Sequence, residues 1–508
     1  MTTANILILA AIIVYLILVV GIGFYYANKN KSVSDFYLGG RKLGPFVTAM
    51  SAEASDMSSW LLMGLPGVAY ASGIADAAWT AIGLAIGTYV NWLIVAKRLR
   101  KYTELTHSTT VPEFFSNRFH DKRHTISCIA ALVIIVFFIP YTGSGFSACG
   151  KLFSNLFDID YHVAMIISAV VIVAYTTIGG FLAASTSDFI QSIIMTMALV
   201  VILVFGINNA GGLGNVIDNA KAIPGYLDLT HIYSDGAAKD YGLITIMSTL
   251  AWGVGYFGMP HVLLRFMAIE DSKKLTLSRR IATIWVIISL AIAVFIGIMG
   301  NCMSSFGSLD TLKDSETIII EIAKLISSHG AIAAILAGVI LAGILAATMS
   351  TADSQLLAAS SSASKDILTD FLGFRLPEKV SMTIARITVL IISLIAVIIA
   401  WNPDSSVFTI VSFAWAGFGA AFGPVVLFAL FWKRTTRAGA LAGMVSGGVV
   451  VFIWKFLVRP LGGMFDIYEL LPAFITGCLV LIIVSYCSGE PSAEILAEYE
   501  TFQKQCKN

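Results

Sequence analysis

Apolar and polar positions form long blocks along this chain: runs of about 20 mostly apolar residues alternate with short polar connections. A run of that length crosses the hydrocarbon core of a bilayer as a helix. The pattern therefore predicts an all-α integral membrane protein with about 13 transmembrane helices. The predicted spans are 5–27, 45–70, 77–96, 125–150, 161–183, 188–207, 241–264, 281–303, 332–360, 380–401, 406–432, 435–457 and 468–488.

The composition agrees with this class, because 57% of the residues are hydrophobic and only 12% are charged, against about 25% charged in a soluble domain. A net charge of +1 gives no strong positive field that would attract nucleic acid. We therefore expect the bilayer, rather than a nucleic acid, to surround the protein. Most lysines and arginines lie in loops that follow odd-numbered spans. Basic loops stay in the cytoplasm, which predicts an N-terminus outside and a C-terminus inside.

Two spans contain a polar or glycine-rich interruption, at residues 52–67 and again at 251–260. Broken backbone inside a membrane must face protein or a filled cavity. An ionisable side chain at that depth, here Asp56, marks a functional site by default. Two interrupted spans in corresponding halves of a chain indicate the binding site of a secondary transporter.

The first interruption has the chemistry of a sodium site. The carbonyls near Ala54 and Met57 supply oxygen ligands, and Ser350 and Thr351 in the ninth span supply hydroxyls from a facing helix. An isolated Ser/Thr pair more often bonds back to its own helix or joins two helices. The nearby break and Asp56 favour the ion site here.

The second interruption is suited to an organic substrate. Trp252, Tyr256 and Pro260 recur at intervals of four residues on one helix face, and the proline frees the carbonyl of Tyr256. The alternative is an interfacial aromatic belt or ordinary packing, which the surrounding glycines make less favourable. Tyr141, directly after a proline in the fourth span, is a weaker candidate for the same pocket.

Two further charged positions have two interpretations each. Asp188 begins the predicted sixth span, where it is either a second cation ligand or a helix N-cap together with Ser187. Arg41 precedes the first interruption, where it either forms part of a cytoplasmic gate or simply follows the distribution of basic loops.

Several segments resemble the sodium:solute symporter family, with order and spacing kept from about residue 10 to 490. They are Leu38-Gly-Gly-Arg-Lys-Leu-Gly-Pro-Phe-Val-Thr-Ala-Met-Ser51, Ala54-Ser-Asp-Met-Ser58, Ile178-Gly-Gly-Phe-Leu-Ala183, Gly255-Tyr-Phe-Gly258, Met349-Ser-Thr351 and Ala414-Trp-Ala-Gly-Phe-Gly-Ala-Ala-Phe-Gly-Pro424. The resemblance is strongest to those members of the family that carry proline.

The resemblance implies a leucine-transporter-like fold with a core of two inverted five-helix repeats and broken helices. Residues 45–207 (spans 2–6) would form the first repeat and 241–432 (spans 7–11) the second. Residues 1–44 would hold a first peripheral helix and a cytoplasmic loop, 433–488 the peripheral spans 12 and 13, and 489–508 a cytoplasmic tail.

The resemblance also implies roles for individual residues. Sodium ligands would be the backbone oxygens of Ala54, Met57 and Ala347 and the hydroxyls of Ser350 and Thr351. Ser55, Asp56 and Ser58 would support that site or couple it to the substrate. The substrate itself would be contacted by Tyr141, Trp252, Tyr256, Pro260 and Ser58. The chain departs from the pattern of proline transporters at Glu53 and Ser59, where glycine is expected, and at Met259, where glutamine is expected.

These observations together predict a secondary symporter that imports L-proline with Na⁺ across a bacterial cytoplasmic membrane by alternating access. A related transporter for another compatible solute or small carboxylate is the main alternative, and a channel or a transporter-like sensor is a weaker one. Neither a nucleophile–base pair nor a metal motif is evident in the sequence, so no enzyme activity, no cofactor and no obligate protein partner are expected.

Overall fold

The computed structural model describes residues 2–27, 38–374 and 377–507, so residues 28–37 of the predicted first loop lie outside the described part. Helices carry almost all of the fold. We number them α1 (Thr3–Ala27), α2 (Pro45–Asp56), α3 (Trp60–Ser72), α4 (Ile74–Leu105), α5 (Val111–Arg118), α6 (Thr125–Phe157), α7 (Tyr161–Asn209), α8 (Leu213–Ala222), α9 (Leu243–Gly258), α10 (Pro260–Ala268), α11 (Ser272–Ser305), α12 (Ile318–Ser327), α13 (Ala331–Phe371), α14 (Glu378–Ile399), α15 (Val407–Phe431), α16 (Arg437–Leu461), α17 (Leu470–Cys487) and α18 (Ala493–Lys507).

The helices match the predicted spans closely in position. Within the described ranges, nine helices are long and apolar enough to cross a membrane, and α9 and α10 meet the same criterion when they are taken together across a bend of 45°. Three shorter apolar helices, Trp60–Ser72, Tyr161–Ala174 and Thr383–Ile399, lie where the second, fifth and tenth spans are predicted. The class of an α-helical multi-span membrane protein is confirmed, and the count of 13 spans stays a prediction.

A two-stranded antiparallel hairpin, β1 (His231–Ser234) and β2 (Ala237–Asp240), lies in the connection between α8 and α9. Tyr226 in the same connection donates its hydroxyl to the carbonyls of Ala69 and Tyr70, and the N–H of Ile74 donates to the carbonyl of Tyr226. This contact fixes one end of the bundle, which we call the hairpin side; the end that carries α18 is the tail side.

The two interrupted segments run in opposite directions through the bundle. The first, α2 followed by α3, ends at Ser72 next to the Tyr226 contact on the hairpin side. The second, α9 followed by α10, begins after the hairpin and ends on the tail side, where the N–H of Leu43 donates to the carbonyl of Ala268. Antiparallel broken helices of this kind are the geometry of an inverted repeat.

Glycines allow the second interruption to approach α4 at backbone distance. A Cβ added to Gly87 would lie 2.2 Å from the carbonyl oxygen of Gly253, and a Cβ on Gly253 would lie 2.2 Å from that of Gly83. Both distances are far below van der Waals contact, and the obstacle is backbone rather than a movable side chain. Elsewhere Gly180 (φ 68°) bends α7, which separates the predicted fifth and sixth spans.

We expect Gly87→Ala to lower the free energy of unfolding by about 1–3 kcal/mol, because the added methyl group overpacks a rigid contact. Gly214→Ala is the matched control, since nothing lies within 4 Å of a Cβ at that position. Thermal unfolding of the two purified variants in detergent measures the difference. Equal stability of Gly87→Ala and Gly214→Ala would contradict the close approach of α4 and α9.

The tail side is covered by α18, which packs against the end of α4 and the end of α15. Phe502 is fully buried and contacts the Tyr102 ring at 4.5 Å. The Tyr102 hydroxyl donates to Glu498 Oε1 at 2.8 Å, and the Tyr499 hydroxyl donates to the carbonyl of Leu430 at 3.2 Å. The predicted tail is therefore a docked helix that joins elements from both predicted repeats.

Candidate functional site

The first interruption is an unwound turn between α2 and α3. Met57 leaves the helical conformation (φ −77°, ψ 70°), and its N–H donates to the carbonyl of Glu53 at 2.7 Å. The N–H of Ser58 donates to the carbonyl of Asp56 at 2.9 Å. Residues 48–67 are all buried, so backbone groups freed by the turn need partners from the protein or from a ligand.

The second interruption is a tight 3₁₀ segment, Ala251–Gly258, followed by an extended residue, Met259 (φ −74°, ψ 108°). Side chains of neighbouring helices satisfy the freed carbonyls. The Trp415 indole N–H donates to the carbonyl of Trp252 at 2.8 Å, and the Asn91 amide donates to the carbonyl of Tyr256 at 3.1 Å. The segment is thereby held open without being a regular helix.

Asp56 joins the two interruptions directly. Its Oδ2 accepts a hydrogen bond from the Tyr256 hydroxyl at 2.7 Å, and its backbone oxygen accepts from the Tyr141 hydroxyl at 3.0 Å and from the Trp60 indole at 3.1 Å. Oδ1 has no hydrogen-bond partner among the described residues and lies 3.7 Å from His261 Nε2. The carboxylate is fully buried, so half of its acceptor capacity is available to a ligand.

Oxygen atoms from α2 and α13 converge beside this turn. The Ser350 hydroxyl donates to the carbonyl of Ala54 at 2.7 Å and to that of Ala347 at 3.1 Å, and the Thr351 hydroxyl donates to the carbonyl of Ala347 at 3.1 Å. Met57, the fifth predicted ligand, lies in the unwound turn itself. Neutral oxygens of this type suit an alkali cation, because the hydroxyls can rotate from the carbonyls and present lone pairs to the ion.

The remaining predicted residues of the two interruptions have more local contacts. Ser55 donates to the carbonyl of Ala52 within its own helix at 3.0 Å, and the Ser58 oxygen accepts from the N–H of Trp60 at 3.4 Å. Pro260 opens α10 and lines a small cavity on the Arg265 side. None of these contacts reaches Tyr256, so their predicted roles rest on position alone.

Trp252 separates the buried site from the hairpin side. Its ring stacks on Tyr468 at a centroid distance of 5.1 Å and lies 6.2 Å from Trp60 and 6.0 Å from Trp415. Trp252 also lines a cavity of about 510 Å³ whose wall includes Asp76 and Arg459. The indole therefore forms part of the wall of a cavity on the hairpin side.

Arg41 ties together loops and helix ends on the tail side. Its guanidinium donates to the carbonyls of Met267, Thr103 and Ser108 at 2.6–3.0 Å. Burial, and then the neighbouring charge of Arg100, lower the pKa of Arg41 to about 10, so it stays charged at neutral pH. The contacts join the segment before α2 to the end of α10, and the role of Arg41 in a gate stays a prediction.

Asp188 lies well inside α7 and is not an N-cap. Its Oδ2 accepts from the Ser51 hydroxyl at 2.7 Å and from the Arg265 guanidinium at 3.0 Å. Arg265 also donates to Ser51 at 3.0 Å and to Ser354 at 2.6 Å. The pair is buried, and it connects α2, α7, α10 and α13 on the tail side of the unwound turn.

Sequence reasoning missed several of these contacts. Arg265 is assigned to a cytoplasmic loop by the span boundaries, whereas it is 1% exposed in the structure; its spacing of four residues from His261 is the signal that places it on the inner face of α10. Glu53 stands where the resemblance leads us to expect glycine, and its Oε1 accepts a hydrogen bond from the Trp92 indole at 2.8 Å. Asn91 and Trp415 carry no sequence signal for their partners, which lie 160 or more residues away.

Within the described part of the chain, no group of three or more His, Cys, Asp or Glu side chains could hold a metal ion.

The model of the sodium:solute symporter family matches residues 36–447. The chain belongs to this family. Two curated relatives, sodium/proline symporters of Staphylococcus aureus strains USA300 / TCH1516 and JH9, are each 42% identical over 490 residues, which cover 95% of this chain and 93% of the relative.

Solved structures confirm the fold of this symporter. The substrate-bound, outward-open state of a Na⁺-coupled sialic acid symporter superposes with a TM-score of 0.79 at 18% identity, covering 96% of this chain and 99% of that one. Mhp1, a nucleobase-cation-symport-1 family transporter, gives a TM-score of 0.56 at 14% identity, covering 93% and 99%. The chain is a multi-pass bacterial membrane protein with a leucine-transporter-like fold, and it performs sodium-coupled symport.

Proposed function

We propose that this symporter imports L-proline together with Na⁺ by alternating access, with the hairpin side outward and the N-terminus outside. The main support is a pair of hydrogen bonds at Asp56. Its side chain accepts one from the Tyr256 hydroxyl, and its backbone oxygen accepts one from the Tyr141 hydroxyl. One residue of the ion-side interruption thus contacts both aromatic hydroxyls proposed for the substrate. The sodium/proline symporters among its relatives support proline as the cargo.

Sodium is proposed to bind the oxygens of Ala54, Ala347, Ser350 and Thr351, with Met57 completing the shell. In that position the cation holds the unwound turn of α2 against α13. The negative charge of Asp56 stabilises the cation electrostatically, and its bond to Tyr256 transmits the position of the turn to the second interruption. Ion occupancy then favours the substrate-binding arrangement of Tyr256 and Trp252, which is the coupling that symport requires.

The energetics suffice for uptake against a gradient. An inward potential of ~100 mV contributes about 2.3 kcal/mol per charge, and a tenfold sodium gradient contributes about 1.4 kcal/mol. One sodium ion per substrate then sustains roughly 500-fold accumulation.

The decisive experiment measures uptake of radiolabelled L-proline into proteoliposomes, with and without an inward sodium gradient. We expect Ser350→Ala to raise the sodium concentration for half-maximal uptake about tenfold or more, because a hydrogen bond or ligand to a charged group contributes about 1.5–3 kcal/mol. Ser360→Ala is the matched control: Ser360 is a buried serine of the same helix that bonds back to the carbonyl of Leu357.

Each result has a separate meaning for the proposal. Proline uptake that does not depend on the sodium gradient would contradict the proposed coupling of sodium to this substrate. An unchanged sodium dependence in Ser350→Ala would contradict the proposed ion site. Absence of proline uptake in a preparation that accumulates another solute with sodium would contradict proline alone.

A different small solute is the second candidate, and residues at the two interruptions favour testing it. Met259 is fully buried at the second interruption, and the Ser59 hydroxyl beside the first has no hydrogen-bond partner in the described structure. Both are departures from the pattern expected of proline transporters. Competition of labelled uptake by unlabelled betaines and small carboxylates, compared with unlabelled proline, ranks the cargoes.

A further inference from the structure

A crevice on the outside of the bundle lies between the first part of α7 and α14. Its volume is about 580 Å³. Ile166, Val170 and Ala174 line it from α7, and Arg386, Leu390 and Ser393 line it from α14. Val170 is 64% and Leu390 50% exposed, so this crevice opens onto the surface that faces the bilayer rather than onto the site built around Asp56.

Arg386 places one positive charge in these otherwise apolar walls. Its side chain is exposed, and the described residues provide it with no hydrogen bond or ion pair. It lies eight residues into α14, which corresponds to about 12 Å along the helix axis. A guanidinium at such a depth requires a counter-charge or a path to the headgroup layer.

A second polar group faces the same crevice. Ser393 follows Arg386 by seven residues, so the two side chains share one face of α14. The Ser393 hydroxyl is buried and has no hydrogen-bond partner among the described residues. The crevice thus combines a long apolar trough, a cation toward its tail-side end and an unsatisfied hydroxyl farther along.

We propose that this crevice binds one anionic phospholipid, with an acyl chain in the apolar trough and the phosphate on Arg386. Basic pockets between transmembrane helices bind anionic headgroups on the cytoplasmic side, and the tail side is the cytoplasmic side by the distribution of basic residues. The proposal concerns a surface separate from the transport site and does not depend on which solute is carried.

The charge of Arg386 favours a lipid over a second copy of the chain. A protein partner would have to supply an acid at this position or leave the guanidinium buried without an anion, which is costly. A phospholipid supplies the phosphate and the apolar chain at the correct relative positions in one molecule, and the membrane provides it in excess.

The test uses the full-length chain purified in detergent, with phosphatidylglycerol and phosphatidylcholine of identical acyl chains as probes. Native mass spectrometry counts bound lipid, and thermal unfolding measures stabilisation. For the wild type we expect retention of phosphatidylglycerol about fivefold or more above phosphatidylcholine, the size expected of one arginine–headgroup contact. Arg386→Gln should lose this preference, while Arg280→Gln, which alters an exposed arginine on α11, should keep it.

A second variant tests the trough independently of the charge. Val170→Trp adds bulk at an exposed position and should reduce retention of both lipids, with the fold intact by size-exclusion chromatography. Retention of the wild-type headgroup preference by Arg386→Gln would overturn the proposal. Stabilisation by inorganic phosphate equal to that by phosphatidylglycerol would overturn it too, and so would crosslinking of Val170→Cys to a second copy in liposomes.

Discussion

Asp56→Asn is expected to reduce sodium-driven uptake at least 100-fold while the protein still folds. Two unit charges about 5 Å apart attract by about 3 kcal/mol at an effective dielectric constant of ~20. Asparagine keeps the shape of the side chain but removes the charge beside the proposed sodium ligands. It also weakens the bond to Tyr256, whose hydroxyl now donates to a carboxylate at 2.7 Å. Uptake of the labelled substrate at saturating sodium measures the loss.

Asp76→Asn is a chemically matched control for this prediction. Asp76 accepts a hydrogen bond from the Tyr241 hydroxyl at 2.8 Å, so it forms the same kind of carboxylate–tyrosine pair at the outer cavity. We expect its uptake to stay within about threefold of the wild type, since Asp76 lies in the wall of the outer cavity and no proposed sodium ligand adjoins it. Equal losses in Asp56→Asn and Asp76→Asn would contradict a special role of Asp56.

Arg265→Gln is expected to lower the free energy of unfolding by about 3–5 kcal/mol. Removing one partner of a buried ion pair leaves the other charge without compensation, and here that charge is Asp188, 0% exposed and 3.0 Å from the guanidinium. The same substitution removes the donor to Ser354. Thermal unfolding in detergent, followed by size-exclusion chromatography, measures the change.

The double variant Arg265→Gln/Asp188→Asn separates charge from packing. It should recover part of the lost stability, because neither charge is then buried alone. Lys274→Gln serves as the control: this lysine and its partner Glu270, 2.7 Å away, are both largely exposed, so its loss should change the free energy of unfolding far less than Arg265→Gln does. A double variant no more stable than Arg265→Gln alone would show that the ion pair is not the source of the effect.

The local features of this fold could be predicted from the sequence because each of them depends on a short continuous stretch of residues. The apolar blocks give the spans, and the polar turn at Asp56 and the glycines around Tyr256 give the two interruptions. The convergence of Ser350 with Ala54 follows from their chemistry and the resemblance to the family. Whether these oxygens bind sodium, and whether Trp252 and Tyr256 contact the substrate, stays a prediction.

The long-range contacts could not be predicted, because no local rule specifies a partner 77 or more residues away. In the sequence, Arg265 resembles the other basic residues that follow predicted spans. Its contact with Asp188 forms only in the folded chain. The docking of α18 through Phe502 is likewise a long-range contact that the sequence does not predict. The β1–β2 hairpin could not be predicted either, because its residues have no apolar pattern and its exposed strand β2 buries little surface.

The indole cluster around Trp252 gives the protein an internal optical probe. Trp60 and Trp415 lie about 6 Å from Trp252, close enough for their excited states to couple, and Trp252 lines the cavity on the hairpin side. Any rearrangement that shifts α3, α9 or α15 relative to one another changes both the coupling and the surroundings of Trp252. The ultraviolet emission and circular dichroism of the unlabelled protein therefore carry information on the state of its central barrier.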